Sequence, residues 1–450
     1  MSVSVIMPLF NAHAYLPDAL DCVIKQTYEE FELICINDCS SDDTEKILRT
    51  FQEKDGRIRI LTNERRLGAG LSRNKGIEVS KGKYIIFLDG DDIFDEQLLE
   101  KACAAMEKYN ADITLFEAAY HVPSESIYMK RHTQRSEEFK EKYCNTPFSF
   151  CDFTPEEFPG WSDSPCDKIF SRDFIMDNHL EFQDLPSSND VYFSQMAMLC
   201  AKRVIWLNDS RVLVYAREHA EASRISALRD PMCAYMALEK LVLELQKRSM
   251  LSKTAAFAYY TVKSKLFYLL KIERQEEQKK SFYKFLHDEG IEKLISYSGE
   301  YYANVDRYDR YLLEGLRDYP YERGWFQFPD SYFQCCLNHD GDNVCSFINE
   351  KLSQNKRLVL WGAGTNGSIL LNYLKEHFIQ ITGVVDRDES KQGTFVNGYE
   401  ITKPDYYYES ADYILFTSEQ IYQETSLNRS DIGAVMVNIW DLLAEGGAVL

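Results

Sequence analysis

The stretch KYIIFLDGDD, residues 83–92, places an unbroken apolar run directly before three aspartates. A short run of β-branched and aromatic residues favours a strand that is buried on both faces. The same change from apolar to polar residues ends two earlier runs, at Pro8–Asn11 and at Asn37–Asp42. The chain therefore repeats one pattern, in which a buried strand is followed at once by polar or acidic side chains.

Residues 3–116 alternate such runs with amphipathic helical stretches. The predicted strands are Val3–Leu9, Phe31–Asn37, Arg57–Leu61, Lys83–Leu88 and Asp112–Phe116. The predicted helices are Tyr15–Gln26, Thr44–Lys54, Ala69–Val79 and Gln97–Tyr109. This alternation predicts an α/β fold with a mostly parallel sheet covered by helices on both faces. Ligands of such sheets bind beyond the carboxyl ends of the strands, so the residues that follow each strand are the candidate site.

The 450-residue length predicts more than one domain. We expect an α/β domain over residues 1–230, a helical region over 231–340 and a small α/β domain over 341–450. The 51 basic and 71 acidic residues give a formal charge of −20, which disfavours a nucleic acid as partner. Whether the chain forms a homo-oligomer stays open.

The first residues run straight into a strand pattern and do not resemble a leader peptide. No apolar stretch approaches the roughly 18–20 residues that span a bilayer. Twelve cysteines without a Cys-x-x-Cys pair favour reduced thiols over disulfides or zinc. We therefore expect a cytoplasmic protein, which could also work at the inner face of a membrane.

The polar residues after the strands suit a nucleotide-sugar. Asp38 could accept the imide hydrogen of a uracil-type base, and Arg73 suits phosphates because it stays protonated. Asp89 and Asp91, two residues apart, present the hard oxygens that Mg²⁺ or Mn²⁺ prefers, and Gly90 between them lets the backbone approach a ligand. Each feature alone also fits a solvated turn or a helix cap, so the joint occurrence at successive strand ends carries the prediction.

Four runs together resemble the family 2 glycosyltransferases with the GT-A fold: PLFN at 8–11, INDCSSDDT at 36–44, SRNKG at 72–76 and GKYIIFLDGDD at 82–92. The resemblance is dense over residues 3–116 and looser to about 225. It implies a donor site lined by Pro8, Phe10, Asn11, Asp38, Arg73, Asp89, Gly90 and Asp91. Within it, Asp38 would contact the base, and Asp89 with Asp91 would bind the ribose and a Mn²⁺ or Mg²⁺ ion. Phe10 stands where the family usually has Tyr.

The run SNDVYF at 188–193 resembles the Glu-Asp motif of that family, with Asn189 in place of Glu. Asp190 is then the candidate general base, which takes the proton of the acceptor hydroxyl as that oxygen attacks the anomeric carbon. A single displacement of this kind inverts the sugar, and the metal would stabilise the leaving diphosphate. The alternative reading is that Asp190 caps the following helix.

Two further segments resemble loops around the acceptor and the donor phosphates. Trp161 could stack on a sugar face and Asp163 could bond its hydroxyls, although a buried tryptophan that anchors the loop fits as well. Arg217 or His219 could close over the phosphates, although a lone loop histidine is more often a surface residue.

The C-terminal part contains GAGTNG at 362–367 between a predicted strand, Leu358–Trp361, and a predicted helix, Asn366–Glu376. A second predicted strand ends in Asp386, an acid that could bond ribose hydroxyls. The module resembles the small Rossmann-like domains found beside sugar-modifying enzymes. That resemblance implies a nucleotide ligand at Gly362, Gly364, Gly367 and Asp386, and a role in packing, dimerisation or regulation is the alternative.

We therefore predict an inverting glycosyltransferase of the hexosyl or N-acetylhexosaminyl type. It would move a sugar from a nucleotide-sugar, with UDP as the expected nucleotide, to a hydroxyl of a glycan or lipid-linked acceptor in cell-surface polysaccharide synthesis. Two alternatives remain: a sugar-modifying enzyme with NAD-type binding in the C-terminal module, and a non-catalytic scaffold.

Overall fold

The computed structural model describes residues 2–122, 127–130, 141–153, 163–207, 214–216, 230–250, 276–298, 332–407, 410–418, 421–422, 425–426 and 432–443. By their contacts the residues form two compact units. The first unit comprises Met1–Tyr283 and Lys293–Tyr301, and the second comprises Lys284–Glu292 and Tyr302–Leu450.

The first unit combines strands and helices in alternation. Its described strands are β1 (Val3–Leu9), β2 (Phe31–Asn37), β3 (Ile58–Thr62), β4 (Tyr84–Phe87), β5 (Ile93–Phe94), β6 (Ile113–Leu115), β7 (Ala118–Val122), β8 (Ile127–Lys130), β9 (Lys168–Ser171), β10 (Val204–Trp206) and β11 (Val214–Ala216). Its described helices are α1 (Leu16–Ile24), α2 (Thr44–Lys54), α3 (Gly68–Val79), α4 (Leu98–Tyr109), α5 (Arg172–Asp177), α6 (Val191–Cys200) and α7 (Pro231–Lys247). Short 3-10 helices lie at Phe150–Asp152 and Pro165–Asp167.

Seven of these strands form one sheet in the order β10-β6-β9-β4-β1-β2-β3. Strand β1 pairs parallel with β2 and β4, and β2 pairs parallel with β3. The predicted mostly parallel sheet is confirmed, and the ends of β3, β4 and β6 differ from the prediction by one residue. Strand β9 is antiparallel to both β4 and β6, and it enters the sheet from far along the chain. A second, four-stranded sheet has the order β5-β11-β7-β8.

Helices cover both faces of the large sheet, as predicted. Val5 on β1 belongs to a buried apolar cluster with Leu20 of α1 and Leu98 of α4. The neighbouring Ile6 points to the opposite face, because successive side chains of a strand alternate. There a Cβ atom added to Gly76 of α3 would lie 2.4 Å from Ile6 Cγ2, so this helix packs on the strand with almost no gap.

Helix α3 differs from the other helices of this sheet in what it buries. Its buried residues are Gly70, Ser72, Arg73, Gly76 and Ile77. Helix α4 instead buries leucine, alanine, cysteine and methionine. A helix that buries an arginine must supply it with polar partners, and the partners of Arg73 define the candidate site below.

Between residues 231 and 340 the described elements are helical. Helices α8 (Glu276–Phe285) and α9 (Ile291–Ser298) follow α7, with a π-helical turn at Leu286–Gly290 between them. Helix α10 (Tyr332–Ser353) comes next. Among the residues that the structure describes, no helix is both long and apolar enough to cross a bilayer.

The second unit contains a smaller, mostly parallel sheet. Its strands are β12 (Leu358–Trp361), β13 (Gly383–Val385), β14 (Phe395–Val396), β15 (Tyr399–Thr402), β16 (Tyr413–Phe416) and β17 (Val435–Asn438). Its described helices beside α10 are α11 (Thr365–Glu376) and α12 (Ile439–Leu443), with a 3-10 helix at Pro404–Tyr407. The spatial order is β14-β15-β13-β12-β16-β17. The chain builds outward from β12 in one direction and then in the other, so the strand order reverses beside β12.

Helix α3 offers a test of its close approach to β1. In Gly76→Ala the new methyl group would meet Ile6 Cγ2 at 2.4 Å. Overpacking of this kind typically costs about 1–3 kcal/mol, so we expect a lower free energy of unfolding in urea. Gly56→Ala is the matched control, because a Cβ there would meet nothing within 4 Å. Equal effects of the two changes would show that α3 and β1 are not in close contact.

Candidate functional site

The polar residues that follow β1, β2 and β4 lie at one edge of the large sheet. Leu9 pairs with Asn37 in parallel register, and the Asp38 N–H donates to the Leu9 carbonyl over 2.7 Å. On the other side of β1, the Leu88 N–H donates to the Ile6 carbonyl over 3.1 Å, immediately before Asp89. Parallel strands share their carboxyl edge, so the aspartates after β2 and β4 stand on either side of the end of β1.

Asp38 is buried and accepts three hydrogen bonds. Its Oδ1 receives the side-chain amide of Asn63 at 2.7 Å and the Leu67 N–H at 2.7 Å, and its Oδ2 receives the Gly68 N–H at 2.8 Å. The carboxylate therefore fixes the loop 63–68 that leads into α3. Contact of Asp38 with a base stays a prediction, and it would use the remaining acceptor capacity of Oδ2.

The residues that close β1 form an exposed ledge. Pro8 is the half-buried penultimate residue of β1. Phe10 is 40% exposed, and the guanidinium of Arg66 lies 3.9 Å from its ring centroid. Asn11 adopts a left-handed backbone with φ 49°, and its Oδ1 accepts the Ser41 N–H at 2.9 Å. Asn11 thus ties the end of β1 to the loop after β2, while Phe10 stays partly exposed beside Arg66.

Arg73 occupies the centre of the site and is 6% exposed. Its Nη2 binds Asp89 Oδ1 at 2.8 Å, and its Nη1 donates to Asn189 Oδ1 at 3.3 Å. Its guanidinium also lies 5.4 Å from the ring centroid of Phe182. Arg73 therefore joins the acidic end of β4 to the residue before Asp190.

Asp89 has a second partner that the sequence did not indicate. The buried thiol of Cys166 lies 3.3 Å from Asp89 Oδ2. Burial raises the pKa of Cys166 well above its usual value, the charge of Asp89 raises it further, and Arg73 acts in the opposite direction. The thiol thus stays protonated and donates to the carboxylate. No motif marked Cys166, because its contact with Asp89 spans 77 residues.

Gly90 and Asp91 complete the turn after β4. A Cβ atom added to Gly90 would lie 2.2 Å from Leu9 Cδ2, so the glycine is needed for close packing of this turn on β1. Asp91 is half-buried, as is Asp89. Asp89 and Asp91, which are two residues apart, therefore lie at the same edge of the sheet.

The oxygen donors of this turn fit a hard divalent ion such as Mg²⁺ or Mn²⁺. Asp89 keeps 40% of its side chain exposed despite its contact with Arg73. Among the described residues no group of three or more His, Cys, Asp or Glu side chains could hold a metal. Mg²⁺ commonly uses only one or two carboxylates and takes its other ligands from substrate phosphates and water. Asp91 and Asp89 fit that mode and do not form a closed metal cage.

Asp190 precedes α6 and is half-buried. Its side chain makes no capping hydrogen bond to the helix, so the capping alternative lacks its defining contact. Burial raises the pKa of Asp190; the positive charge of Arg73 lowers it, and the negative charges of Asp163 and Asp89 raise it. Arg73, which contacts both Asp89 and Asn189, brings the residue before the candidate base next to the acidic turn.

Asp163 is held by two consecutive residues of α6. The Ser194 hydroxyl donates to the Asp163 carbonyl at 2.6 Å, and the Gln195 amide donates to Asp163 Oδ1. The periodicity of α6 predicted only a helix, so both residues were missed. The other predicted loop residues, Trp161, Arg217 and His219, lie outside the described residues.

Several buried polar atoms around Asp190 have no hydrogen-bond partner within the described part of the chain. They are Arg73 Nε, Gln183 Oε1, Ser187 Oγ and Gln195 Oε1. Buried polar groups in proteins are nearly always paired with protein, water or ligand. Within the described part of the chain, the segment 183–195 and the facing helix α3 therefore leave four buried polar atoms without a hydrogen-bond partner.

The glycine turn of the second unit lies at the carboxyl end of β12, where the strand order reverses. Gly362 has φ 111°, which favours glycine, and a Cβ on Gly367 would lie 1.8 Å from the Gly362 carbonyl oxygen. Asp386 is buried, and its Oδ2 accepts the Ala363 N–H at 2.8 Å. The Lys391 ammonium lies 3.3 Å from the same oxygen of Asp386.

The third glycine of the turn, Gly364, precedes α11 in an extended conformation. The predicted residues meet, and Asp386 bonds the turn itself.

Comparison with known proteins bears on both units. Residues 4–157 match the family model described as Glycosyl transferase family 2, and residues 354–439 match the model described as C2185-like, N-terminal. Over 304 residues the chain is 28% identical to the glycosyltransferase GlyA of Streptococcus pneumoniae, a match that covers 62% of this chain and 42% of GlyA.

A shorter match of 108 residues is 40% identical to the UDP-Glc:alpha-D-GlcNAc-diphosphoundecaprenol beta-1,3-glucosyltransferase WfgD of Escherichia coli. It covers 24% of this chain and 42% of WfgD. The chain spans about two fifths of the length of the curated relatives it matches. The match of residues 4–157 to the Glycosyl transferase family 2 model agrees with the resemblance that the sequence motifs indicated.

Among solved structures, the chain is similar to the crystal structure of Staphylococcus aureus TarS 1-349 in complex with UDP-GlcNAc. The TM-score is 0.58 at 23% identity, and the match covers 70% of this chain and 87% of that one. The likeness shows a GT-A-like α/β fold for the N-terminal domain, as predicted.

Proposed function

We propose that the chain is an inverting glycosyltransferase that moves a sugar from a UDP-sugar to a hydroxyl of an acceptor. The observation that carries the proposal is the bridge made by Arg73 between Asp89, at the donor edge, and Asn189, beside the candidate base. The buried guanidinium of Arg73 would thereby set the distance between Asp89 at the donor edge and the candidate base Asp190, which must act on opposite sides of the transferred sugar.

Asp190 would act as the general base. As the acceptor oxygen forms its bond to the anomeric carbon, its proton passes to the Asp190 carboxylate, and the bond from that carbon to the diphosphate breaks. The raised pKa of Asp190 makes its carboxylate a stronger proton acceptor than an ordinary aspartate. Attack opposite the diphosphate inverts the configuration and needs no covalent sugar–protein intermediate.

The donor would lie along the ledge formed by Pro8, Phe10 and Asn11, with Asp38 toward the base. Asp91 and Asp89 would hold Mn²⁺ or Mg²⁺, which when bound supplies Lewis-acid stabilisation of the diphosphate. The buried position of Arg73 changes its predicted role: we propose that it orients Asp89 and the base segment, and that direct contact with phosphate is secondary.

The relatives support the choice of substrates. TarS was solved with UDP-GlcNAc, and the printed name of WfgD gives UDP-Glc as donor and a diphosphoundecaprenol-linked sugar as acceptor. We therefore propose hexosyl or N-acetylhexosaminyl transfer to a glycan or lipid-linked acceptor in cell-surface polysaccharide synthesis. We also propose a cytoplasmic location, in which a lipid-linked acceptor would bring the chain to the inner face of the membrane.

We further propose that the C-terminal module, residues 341–450, is Rossmann-like and that residues 1–230 and 231–340 are the transferase domain and a helical accessory region. The parallel order β15-β13-β12-β16-β17, with a glycine turn where the strand order reverses, supports the proposal that the C-terminal module is Rossmann-like. Because Asp386 and Lys391 already meet at this turn, a nucleotide ligand would have to compete with their contact.

Ligand-induced thermal stabilisation separates the two candidate functions. A ligand that binds only the folded state raises its stability by RT ln(1 + [L]/Kd), about 2.7 kcal/mol at 100 times Kd. We expect UDP with Mn²⁺ to raise the melting temperature of the wild-type chain and to lose that effect in Asp91→Ala. Stabilisation by NAD alone, with none by UDP, would favour the sugar-modifying alternative.

Asp190→Asn tests the base. The change removes the proton acceptor and keeps the side-chain shape, so UDP affinity should remain while transfer falls about 10²–10⁴-fold. Asp184→Asn is the matched control, since Asp184 is exposed in the same segment. Calorimetric titration with UDP and a radiolabelled-sugar transfer assay give the two readouts. Wild-type turnover by Asp190→Asn would remove Asp190 from the mechanism.

Asp163→Asn tests the electrostatics of that base. Transfer should fall as the pH drops through the pKa of Asp190, because the protonated carboxyl cannot accept a proton. The negative charge of Asp163 raises that pKa, so its removal should move the acid limb of the pH–rate profile to lower pH. Asp184→Asn should leave the limb in place. An upward shift in Asp163→Asn would contradict the assigned geometry.

A further inference from the structure

Asn74 makes a two-way contact with a distant part of the chain. Its Nδ2 donates to the Phe182 carbonyl at 2.8 Å, and its Oδ1 accepts the Phe182 N–H at 2.8 Å. The two residues are 108 positions apart. A side-chain amide that matches both backbone groups of one residue imitates a strand partner, and it fixes both the position and the direction of that residue.

The contact docks the base segment, defined as residues 182–190, onto α3. Close to the first turn of the helix, a Cβ added to Gly70 would lie 2.5 Å from the Gln183 carbonyl oxygen and 3.0 Å from Asn189 Cβ. One turn further on, Asn74 holds the start of the segment. The base segment thus crosses α3 with backbone in direct contact, and only glycine fits at the crossing.

The same helix holds the donor edge. Arg73, next to Asn74, binds Asp89 at 2.8 Å and Asn189 at 3.3 Å. Phe182 itself stacks on Phe193 of α6 with ring centroids 4.0 Å apart. The start of the base segment is therefore set by Asn74 and Phe193, and its end by Arg73.

Among the described residues, other hydrogen bonds of the base segment are internal or join it to the start of α6, where the Ser194 N–H donates to the Asp190 carbonyl at 2.9 Å. The Gln183 N–H donates to the Asn189 carbonyl at 3.3 Å, and the Asn189 amide donates to the Leu185 carbonyl at 3.3 Å. These contacts shape the segment but do not place it against the sheet edge. On α3, Asn74 supplies two of the hydrogen bonds that place the segment and Arg73 supplies one.

We infer that Asn74 is a positioning residue for sugar transfer, which acts by holding the segment that carries Asp190 at a set distance from the donor carboxylates. The inference rests on the proposed function for its kinetic consequence, whereas the docking contact itself does not. A displacement of about 1 Å at a catalytic group can cost on the order of 10²-fold in rate. Asn74 touches neither reacting atom, so its loss should affect the transfer step and spare donor binding.

The experiment compares Asn74→Ala, Asn74→Asp and the control Asn178→Ala in the full chain. Asn178 is also half-buried, and its amide makes a local bond to the Phe174 carbonyl at 2.9 Å, at the end of α5. Asn74→Asp keeps an acceptor for the Phe182 N–H and loses the donor to its carbonyl, so it serves as the milder variant if Asn74→Ala does not fold.

Two readouts keep the inference separate from the proposed function. Hydrogen exchange needs no substrate: Asn74→Ala should exchange faster at Phe182 and along the base segment, while β1 and α4 keep wild-type protection. Kinetics require wild-type transfer activity with a UDP-sugar: Asn74→Ala should keep the UDP Kd within about twofold and lose about 10- to 100-fold in kcat for transfer. The kcat of Asn74→Asp should lie between those of the wild type and Asn74→Ala, and Asn178→Ala should match the wild type.

Unchanged exchange at the base segment in Asn74→Ala would overturn the inference, whatever the activity. So would faster exchange with wild-type kcat, or a loss of UDP affinity as large as the loss of transfer. A wild-type chain that neither binds UDP nor transfers sugar would reject the proposed function, while the exchange result would still decide whether Asn74 docks the base segment.

Discussion

Arg73 carries a charge that is almost fully removed from water, and the surrounding structure is arranged around the need to satisfy it. A buried ion without partners is costly by several kcal/mol, so Asp89, Asn189 and the face of Phe182 must all be in place when the chain folds. The partners come from two places: the turn after β4, and the base segment at its end and its beginning. One cation thus joins α3 to that turn and to a segment more than 100 residues further along the chain.

That arrangement requires α3 to approach its neighbours unusually closely. The helix contacts β1 at Gly76 and the base segment at Gly70. At both positions an added Cβ would collide, with the Ile6 side chain at Gly76 and with the Gln183 carbonyl oxygen at Gly70. The glycines remove side-chain bulk on the two contact faces, and the polar residues between them fill the space with hydrogen bonds. A helix with an apolar buried face, such as α4, would stabilise the sheet by burial but would place no positive charge in the site.

Both units use an aspartate after the second strand of their sheet in the same way. Asp38 follows β2 and accepts backbone N–H groups at the start of α3; Asp386 follows β13 and accepts an N–H of the glycine turn before α11. The carboxyl edge of a parallel sheet exposes unpaired N–H groups of neighbouring loops, and a carboxylate satisfies them. A ligand at either place would join a network that already holds its loop, so these acids have a structural role as well as their proposed binding role.

Much of the fold and of the candidate site could be predicted from the sequence, because the patterns that determine them are local. Apolar runs, helical periodicity and the polar residues at strand ends predicted β1 to β4, α1 to α4 and the sheet edge at which Asp38, Asp89 and Asp91 lie. The glycine turn after β12 was predicted on the same basis. What only the tertiary structure decided were contacts between distant segments: the antiparallel strand β9, the thiol of Cys166 on Asp89, the paired hydrogen bonds of Asn74 with Phe182 and the contact of buried Arg73 with Asn189. Their energies depend on packing and on the removal of water from side chains more than 70 residues apart, and no local pattern in the chain encodes that proximity.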